Sequence, residues 1–477
     1  MIHLLPALPL LLPLLQEAPP ESPAERRTVW RDVPRKDVPN LRVLPRWNPS
    51  GPDPVPSPEN WVAGIGGVGI SVAAIHTDLE SRAGVPLLAF GLPTDGSGSV
   101  WFLTESGVDP QPVSVDQAGL KGFGYRVESV PDMDGDGVSD LAIGASALRS
   151  EPRMVYVVST MKKAVLNAFA LPSSMRGQEI ELCSVPDGYG GQWIAIMGVS
   201  AVEWPATSLA IVTVANPSTG EIVHLFTSEE APQYWSDRGA GRPALSWMDS
   251  LEPDGPGFLI LSIPAATRNR LRGLALPSGR EVWSEAMDPG MRHTACSMIA
   301  GADVDGDGAR ELWVGDVGPG ADGSGFERGQ VRVLSGRTGE LVLGIRGMDA
   351  DNSHGIAVAS YPDQNGDGID EVLVTDSWPF FSSRLLTLSG RDGSVLGAIQ
   401  FNQDFWRLGE CLEVGDDWDG KGQPDLIVSN YNLEAGSQHG ARAIGVVSME
   451  DARLLYYLTP ARMIGTIRER NAAMSPR

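Results

Sequence analysis

Short hydrophobic segments of two kinds alternate along the chain from roughly residue 60 to residue 460. In residues 125–130 apolar and polar side chains alternate, which predicts a strand with one buried face. In residues 141–144 an unbroken apolar run predicts a strand that is buried on both faces. Val- and Leu-rich pairs of segments follow, joined by tight turns such as residues 337–340. The pattern therefore predicts units of four short β-strands.

This four-stranded unit is repeated seven times. The turns between the first two strands of the units begin at Asp78, Asp132, Asp187, Asp249, Asp303, Asp363 and Asp417, with successive starts 54 to 62 residues apart. No helical periodicity of useful length interrupts the region. Seven repeats of this length predict an all-β fold, a seven-bladed β-propeller with one four-stranded antiparallel sheet per blade, over residues 60–460.

Three of the seven turns share an acidic sequence, in residues 132–140, 303–311 and 363–371. Each has oxygen-bearing side chains at positions 1, 3, 5 and 9 and glycine at position 6, a set that suits one hard cation, calcium best of all. A helical EF-hand would need glutamate at position 12, whereas position 12 here lies in the apolar run, as at Ile143. An acidic turn without metal is the simpler alternative, but a divalent ion would relieve the repulsion among the acids.

The segment 123–145, with the first acidic turn and its flanking strands, resembles an FG-GAP repeat of the integrin α-chain N-terminal propeller. Bacterial FG-GAP/VCBS repeat proteins have the same pattern. The resemblance is clear in the second, fifth and sixth units and implies about three structural calcium ions, each in the turn between a blade's first two strands. The implied ligands are Asp132, Asp134, Asp136, the Val138 carbonyl and Asp140; Asp303, Asp305, Asp307, the Ala309 carbonyl and Glu311; and Asp363, Asn365, Asp367, the Ile369 carbonyl and Glu371.

The seventh unit departs from this pattern. Asp417, Asp419 and Asp425 align with the acids at positions 1, 3 and 9, but Lys421 occupies position 5. An ammonium group there would pair with the acids in place of an ion. The sequence therefore favours a seventh turn without metal.

The segments outside the repeats have compositions of their own. Residues 1–16 are uncharged, rich in leucine and too short to span a bilayer, which predicts a signal peptide and a secreted, periplasmic or cell-surface protein. Residues 17–59 are rich in proline and charge and predict a linker, in which residues 41–44 are expected to add a strand that closes the ring. Residues 461–477 form a basic tail.

Charge and motifs exclude several functions. The net charge of −23 argues against nucleic acid or an anionic membrane as a partner, and no segment predicts membrane insertion. The sequence has no nucleophile-elbow, Walker, dinucleotide-binding or HExxH motif, and its six histidines lack metal-ligand spacing. Cys183, Cys296 and Cys411 each lie in the strand before the turn of a different unit. Cysteines at such positions are most simply small buried apolar residues.

Aromatic residues are predicted in loops on the face opposite the acidic turns, where side chains serve recognition more than packing. Exposed aromatic rings are enriched at protein-binding hot spots and on surfaces that stack against sugars, although any one of them could instead cap a blade core. The candidates are Trp204, Trp235, Trp378, Phe381, Trp406 and Tyr431.

These patterns predict an exported propeller with structural calcium that binds an extracellular protein or glycan, as an adhesion or recognition module does. The first alternative is an extracellular polysaccharide lyase or hydrolase with its site on the same face, which would need a convergent acid–base set. The second is a structural component of the cell envelope. A propeller fold is compatible with all three, because fold does not determine function.

Overall fold

The computed structural model describes most of the repeat region and two short segments before it. The described residues are 29–33, 38–43, 71–79, 81–92, 98–105, 107–109, 111–115, 120–147, 153–175, 180–186, 192–199, 210–228, 244–249, 257–263, 270–286, 293–317, 329–347, 353–377, 383–401, 408–432 and 441–458. Within them the strands are the only extended regular structure, and no helix in these segments could span a membrane. The predicted signal peptide (1–16) and basic tail (461–477) lie outside the described residues.

Thirty strands are distributed over these segments. The first fourteen are β1 (Val29–Asp32), β2 (Leu41–Val43), β3 (Val72–Ala74), β4 (Leu88–Leu92), β5 (Ser99–Thr104), β6 (Gly107–Val108), β7 (Leu120–Val130), β8 (Asp140–Ala147), β9 (Met154–Ser159), β10 (Ala164–Ala170), β11 (Ile180–Pro186), β12 (Gln192–Val199), β13 (Ala210–Ala215) and β14 (Ile222–Thr227). The others are β15 (Ala244–Met248), β16 (Phe258–Ile263), β17 (Arg270–Ala275), β18 (Arg280–Ala286), β19 (His293–Ala300), β20 (Leu312–Val317), β21 (Gln330–Leu334), β22 (Leu341–Arg346), β23 (Ser353–Tyr361), β24 (Glu371–Ser377), β25 (Arg384–Leu388), β26 (Val395–Gln400), β27 (Leu408–Val414), β28 (Leu426–Asn432), β29 (Ala441–Ser448) and β30 (Arg453–Leu458).

Seven antiparallel sheets of four consecutive strands form a ring. Blades 1 to 7 start with β3, β7, β11, β15, β19, β23 and β27 in turn. The first strands of neighbouring blades contact one another, as β15 does with β19 and β19 with β23, so these strands line the centre of the ring. The predicted all-β, seven-bladed propeller is confirmed.

The middle strands of the blades are buried between neighbouring sheets. Every residue of β13 and β16 is buried, whereas the outer strand β14 has only half-buried or exposed side chains. A strand covered by a sheet on each side has both faces out of water, which explains the unbroken apolar runs in the sequence. Hydrophobic burial between blades therefore stabilises sheets that are too small to fold alone.

The ring closes where blade 7 meets blade 1. The Ala74 amide in β3 donates a hydrogen bond to Glu413 Oε2 in β27 at 2.9 Å. Asp416 pairs with both His76, at 3.0 Å, and Arg82. Neither blade contains a strand from the other end of the chain. Closure therefore depends on these contacts and on a shared apolar cluster of Val72, Ala74, Leu88, Phe90, Leu103, Ile427, Ile444 and Val446.

Strands β1 and β2, here called the N-terminal strap, lie on the outside of the ring. They pair in parallel with the outermost strands of blades 5 and 6, β22 and β26. The expectation that residues 41–44 close the ring is therefore wrong, although a strand forms at Leu41–Val43. An outermost strand presents unpaired N–H and C=O groups, and an extended segment can satisfy them. Arg42 also donates to the carbonyls of Met449 and Glu450, so the strap contacts blade 7 as well.

Candidate metal centres

The acidic sequences form the turns between the first two strands of blades 2, 5 and 6, and the turn after β27 has the same form. Glycines at positions 4 and 6 have left-handed backbones in each turn, with φ of 78° and 84° at Gly135 and Gly137 and 71° and 90° at Gly420 and Gly422. A side chain is disfavoured at such φ values. The alternation of glycine with acids is therefore a requirement of the backbone as well as of any ion.

The acid at position 1 organises each turn. In blade 2 Asp132 accepts hydrogen bonds from the Gly135 amide on Oδ1 (2.7 Å) and from the Gly137 amide on Oδ2 (2.8 Å). The acid at position 5, Asp136, accepts from the Val138 amide at 3.1 Å. The hydrogen bonds from the Gly137 and Gly135 amides to its charged form hold the pKa of Asp132 below its ordinary value. Asp132 is therefore ionised without any help from a metal.

Blades 5 and 6 repeat the same hydrogen bonds. Asp303 accepts from the amides at positions 4 and 6 at 2.6 and 2.9 Å, and Asp363 does so at 2.7 Å for both. Asp307 and Asp367, at position 5, each accept from the amide two residues later at 2.9 Å. Three independent turns thus share one pattern of backbone hydrogen bonds to the acids at positions 1 and 5.

The acid at position 9 is fully buried in each of these loops. Asp140, Glu311 and Glu371 all have 0% of their surface exposed. In each case one carboxylate oxygen accepts from the amide at position 2, at 2.8, 2.5 and 3.0 Å respectively. Anchored this way, the carboxylate closes the loop over the other acids.

Several carboxylate oxygens in these loops are buried with no hydrogen-bond partner among the described residues. They are Asp134 Oδ1, Asp136 Oδ2, Glu311 Oε1 and Glu371 Oε2. Buried polar atoms in folded proteins nearly always have partners, and an ion is a standard explanation when they do not. A cation bound in the loops would satisfy all four oxygens. The residues present therefore fit a hard cation.

Distances between the acids agree with this interpretation. Ligand atoms of Asp303, Asp305, Asp307 and Glu311 lie within 4.8 Å of one another, as do those of Asp132, Asp134 and Asp136. Among the described residues, Asp363, Asp367 and Glu371 of blade 6 do not form such a group, and Asp367 is instead paired with Arg391 at 3.0 Å. The structure thus brings the predicted acids of blade 5 together and three of the four in blade 2, where Asp140 lies outside the group. The carbonyls of Val138, Ala309 and Ile369 remain predicted ligands.

The buried acids resist ionisation when no cation is bound. Burial raises the pKa of Glu311 to about 7 and that of Asp140 to about 6, and the neighbouring acids of each loop add to the effect. Burial also raises the pKa of Glu371. Folding thus concentrates negative charge where only a positive charge would make it favourable.

A basic side chain approaches each loop from the turn between the third and fourth strands of the same blade. Lys162 Nζ lies 2.8 Å from Asp134, and Arg337 Nε lies 3.6 Å from Asp307. These two bases are largely exposed, and each contacts a single acid of its loop. They reduce the net charge of the loops without replacing an internal ion.

A separate cavity of about 230 Å³ lies at the centre of the ring. First strands of five blades line it, with Ile299, Val358 and Leu412 on its apolar side and His76 and Glu413 among its polar groups. It is distinct from the acidic loops, which surround the mouth of the ring. Within the described lining no metal group of the kind found in the loops occurs.

The predicted recognition residues fall almost entirely outside the described residues. Trp204, Trp235, Trp378, Phe381 and Trp406 are among the undescribed positions, as is the side chain of Tyr431 at the end of β28. The first strand of a blade runs to its acidic turn, so the second strand runs away from it. The strands that flank these candidates therefore end at the opposite face.

Two buried ion pairs at this opposite face were not anticipated from the sequence. Asp316, near the end of β20, pairs with Arg332 in β21, and Asp376, near the end of β24, pairs with Arg384 at the start of β25. Both aspartates are at least 98% buried. Their recurrence inside apolar runs of neighbouring repeats is the signal that could have identified them.

Comparisons with known proteins concern the fold alone. No family model matches the chain, and no curated protein matches it. Among solved structures it is similar to the Dos1 propeller, with 12% identity over 83% of this chain and 85% of that one and a TM-score of 0.44. It is also similar to hydrazine synthase of Kuenenia stuttgartiensis, with 13% identity over 69% and 78% and a TM-score of 0.40. The fold assignment rests on the strand order of this chain itself.

Proposed function

We propose that this protein is an exported recognition module, a propeller whose acidic loops bind structural calcium and whose opposite face binds an extracellular protein or glycan. The observation that supports it most is the set of buried carboxylate oxygens in the loops that lack hydrogen bonds. Bound calcium would satisfy these oxygens. Calcium loops with the affinities of extracellular modules suit a calcium-rich compartment. The FG-GAP resemblance of the same turns agrees with this proposal.

Calcium is favoured over magnesium by the ligand set. Each loop offers four side chains with oxygen atoms and a backbone carbonyl within nine residues, as in Asp303 to Glu311. Calcium accepts six to eight oxygens in flexible geometry, whereas magnesium demands a near-ideal octahedron and keeps several waters. Calcium in this proposal stabilises the scaffold and takes no part in ligand binding.

The opposite face is the favoured recognition surface because the strands β24 and β25, which lead to two of the aromatic candidates, are joined by a buried ion pair at that face. The ion pair of Asp376 and Arg384 joins the two strands that flank Trp378 and Phe381, with Arg384 Nε donating to Asp376 Oδ2 at 3.1 Å. Fixing the two strands that lead to a binding loop reduces the conformational freedom lost when a ligand binds. Aromatic side chains on such a loop suit stacking on a sugar or insertion into a protein pocket.

An array of extracellular glycans and proteins tests this proposal. We expect the calcium-loaded protein to bind a defined subset of the array and the Trp378→Ala and Phe381→Ala variants to lose at least tenfold in affinity for it, a loss typical of hot-spot aromatics. Trp30→Ala is the matched control, because Trp30 is an aromatic residue with 38% exposure on the outside of the ring.

The outcomes of the array separate the possibilities. Retained affinity in both loop variants, or an equal loss in the Trp30→Ala control, would place recognition elsewhere. Consumption of a bound polysaccharide, followed by the appearance of shorter chains, would contradict a role limited to binding.

A further inference from the structure

The turn of blade 7 has the same frame as the three candidate calcium loops. Asp417 Oδ2 accepts from the Gly422 amide at 2.7 Å, as position 1 does from position 6 in the other loops. Asp425, at position 9, is fully buried and accepts from the Trp418 amide at 2.8 Å. Ligand atoms of Asp417, Asp419 and Asp425 lie within 4.8 Å of one another. Backbone and acids are therefore arranged as for a metal.

The difference lies at position 5, where Lys421 replaces an acid. Its ammonium Nζ lies 3.0 Å from Asp419 Oδ2 and 2.5 Å from Asp451 Oδ2. Arg453 approaches both of these acids at 3.6 Å. A lysine ammonium is charged at physiological pH by its ordinary chemistry. A positive charge that belongs to the loop itself thus lies beside Asp419, and it is also paired with Asp451 in the turn between β29 and β30.

The bases beside the other loops are placed differently. Lys162, Arg337 and Arg391 come from the turn between the third and fourth strands and leave an acid at position 5 of the loop. Lys421 belongs to the loop itself, so it removes one ligand and supplies a charge at the same time. Among the four acidic loops, only the loop of blade 7 has both its charge and its ligand count set against a metal.

We propose that Lys421 is a tethered cation that takes the place of calcium in blade 7, so that this loop is permanently closed and independent of calcium. The loop retains the rest of the ligand set, including Asp425 Oδ1, a buried oxygen with no hydrogen-bond partner among the described residues. Restoring an acid at position 5 would therefore create a calcium site. This inference rests on the proposed calcium binding in blades 2, 5 and 6.

Hydrogen exchange measured by mass spectrometry tests the wild-type chain directly. Exchange is compared in excess calcium and in chelator. We expect peptides covering residues 132–140, 303–311 and 363–371 to exchange more slowly in calcium than in chelator. The peptide covering residues 417–425 should exchange at the same rate in both conditions. Calcium-dependent protection of that peptide would overturn the inference. No calcium response in any of the four peptides would contradict the proposed calcium binding as well, so the two failures can be told apart.

A substitution gives the converse test. Lys421→Asp should raise the number of calcium ions bound, counted by native mass spectrometry, by one relative to the wild type. Lys162→Asp is the matched control, because it changes charge equally beside the blade 2 loop but adds no oxygen at position 5, and its count should not rise. An unchanged count in Lys421→Asp, or an equal rise in both variants, would contradict the proposal.

Discussion

Glu128 is an acid that folding places among other acids near the centre of the ring. It lies in β7, half-buried, and its Oε1 accepts from the Ser184 amide at 3.2 Å. Burial raises its pKa to about 7; Arg126 partly opposes this rise, whereas Glu413 adds to it. A carboxyl whose folded pKa exceeds its unfolded value binds more protons in the folded state between those two values. Its ionisation therefore destabilises the fold as the pH rises from about 4.5 through 7.

Glu128→Gln should remove this pH dependence. Glutamine keeps the acceptor for Ser184 but cannot ionise, so we expect the variant to be more stable than the wild type at pH 8, by on the order of 1–3 kcal/mol, and equally stable near pH 4, below the unfolded pKa. Urea unfolding at the two pH values measures the difference. Glu221→Gln, at an exposed turn position of blade 3, is the control and should have no such effect. Parallel pH profiles for Glu128→Gln and wild type would contradict the assignment.

At the level of elements, one contact recurs between neighbouring blades. The turns between the third and fourth strands of blades 3 to 6 each contain a left-handed glycine that packs against the outermost strand of the preceding blade. These glycines are Gly220, Gly279, Gly339 and Gly393. At blade 5 the contact is most developed, because Trp283 covers Gly339 and its Nε1 donates to the Gly336 carbonyl at 2.9 Å. The turns thus join blades as well as strands.

Gly339→Ala should test this contact between blades. A methyl group at Gly339 would lie 2.8 Å from Trp283 Cε3, whereas one at Gly84, with nearly the same φ (82° against 76°), would meet nothing within 4 Å. Both variants carry the same backbone cost of about 1 kcal/mol, so Gly84→Ala isolates the steric part. We expect Gly339→Ala to lose about 1–3 kcal/mol more in denaturant unfolding. Equal losses in the two variants would show that the packing contributes nothing.

The N-terminal strap shows where sequence reasoning about elements stops. The apolar residues around Leu41 predict a strand correctly, since local pattern determines strand formation. Its partner is decided by which sheet edge is free in the folded ring, and short local patterns do not encode that. Arg31, 3.1 Å from Asp392, and Arg42 then fix the strap on blades 6 and 7 through contacts far apart in sequence.

At the scale of the whole molecule, the acidic turns form part of a series of contacts around the mouth of the ring. The blade 2 loop bonds to blade 1, because Asp78 donates its amide to the Gly137 carbonyl and Ser139 donates to that of His76. The blade 5 loop reaches blade 4 through Arg310 and Asp249, which lie 3.0 Å apart. Ions that fix these loops would therefore stabilise contacts between blades as well as single blades.

Repetition explains how much of this molecule is predictable. The seven turn positions and the acids at positions 1, 3, 5 and 9 follow from the sequence, because each blade repeats the same local requirements. The ion pair of Asp376 and Arg384, the acidic centre around Glu128 and the closure through Asp416 depend on which side chains meet across the ring. Such contacts are set by tertiary packing, so no single repeat reveals them.

Calcium-dependent thermal melting tests the central claim most directly. A ligand present at a hundred times its Kd stabilises the folded state by about 2.7 kcal/mol per site, so saturation of several loops should raise Tm clearly above its value in chelator. Magnesium at the same concentration should not reproduce the shift, and Glu311→Gln should reduce it. A Tm that is the same in calcium and in chelator would contradict the assignment of the acidic loops as metal centres.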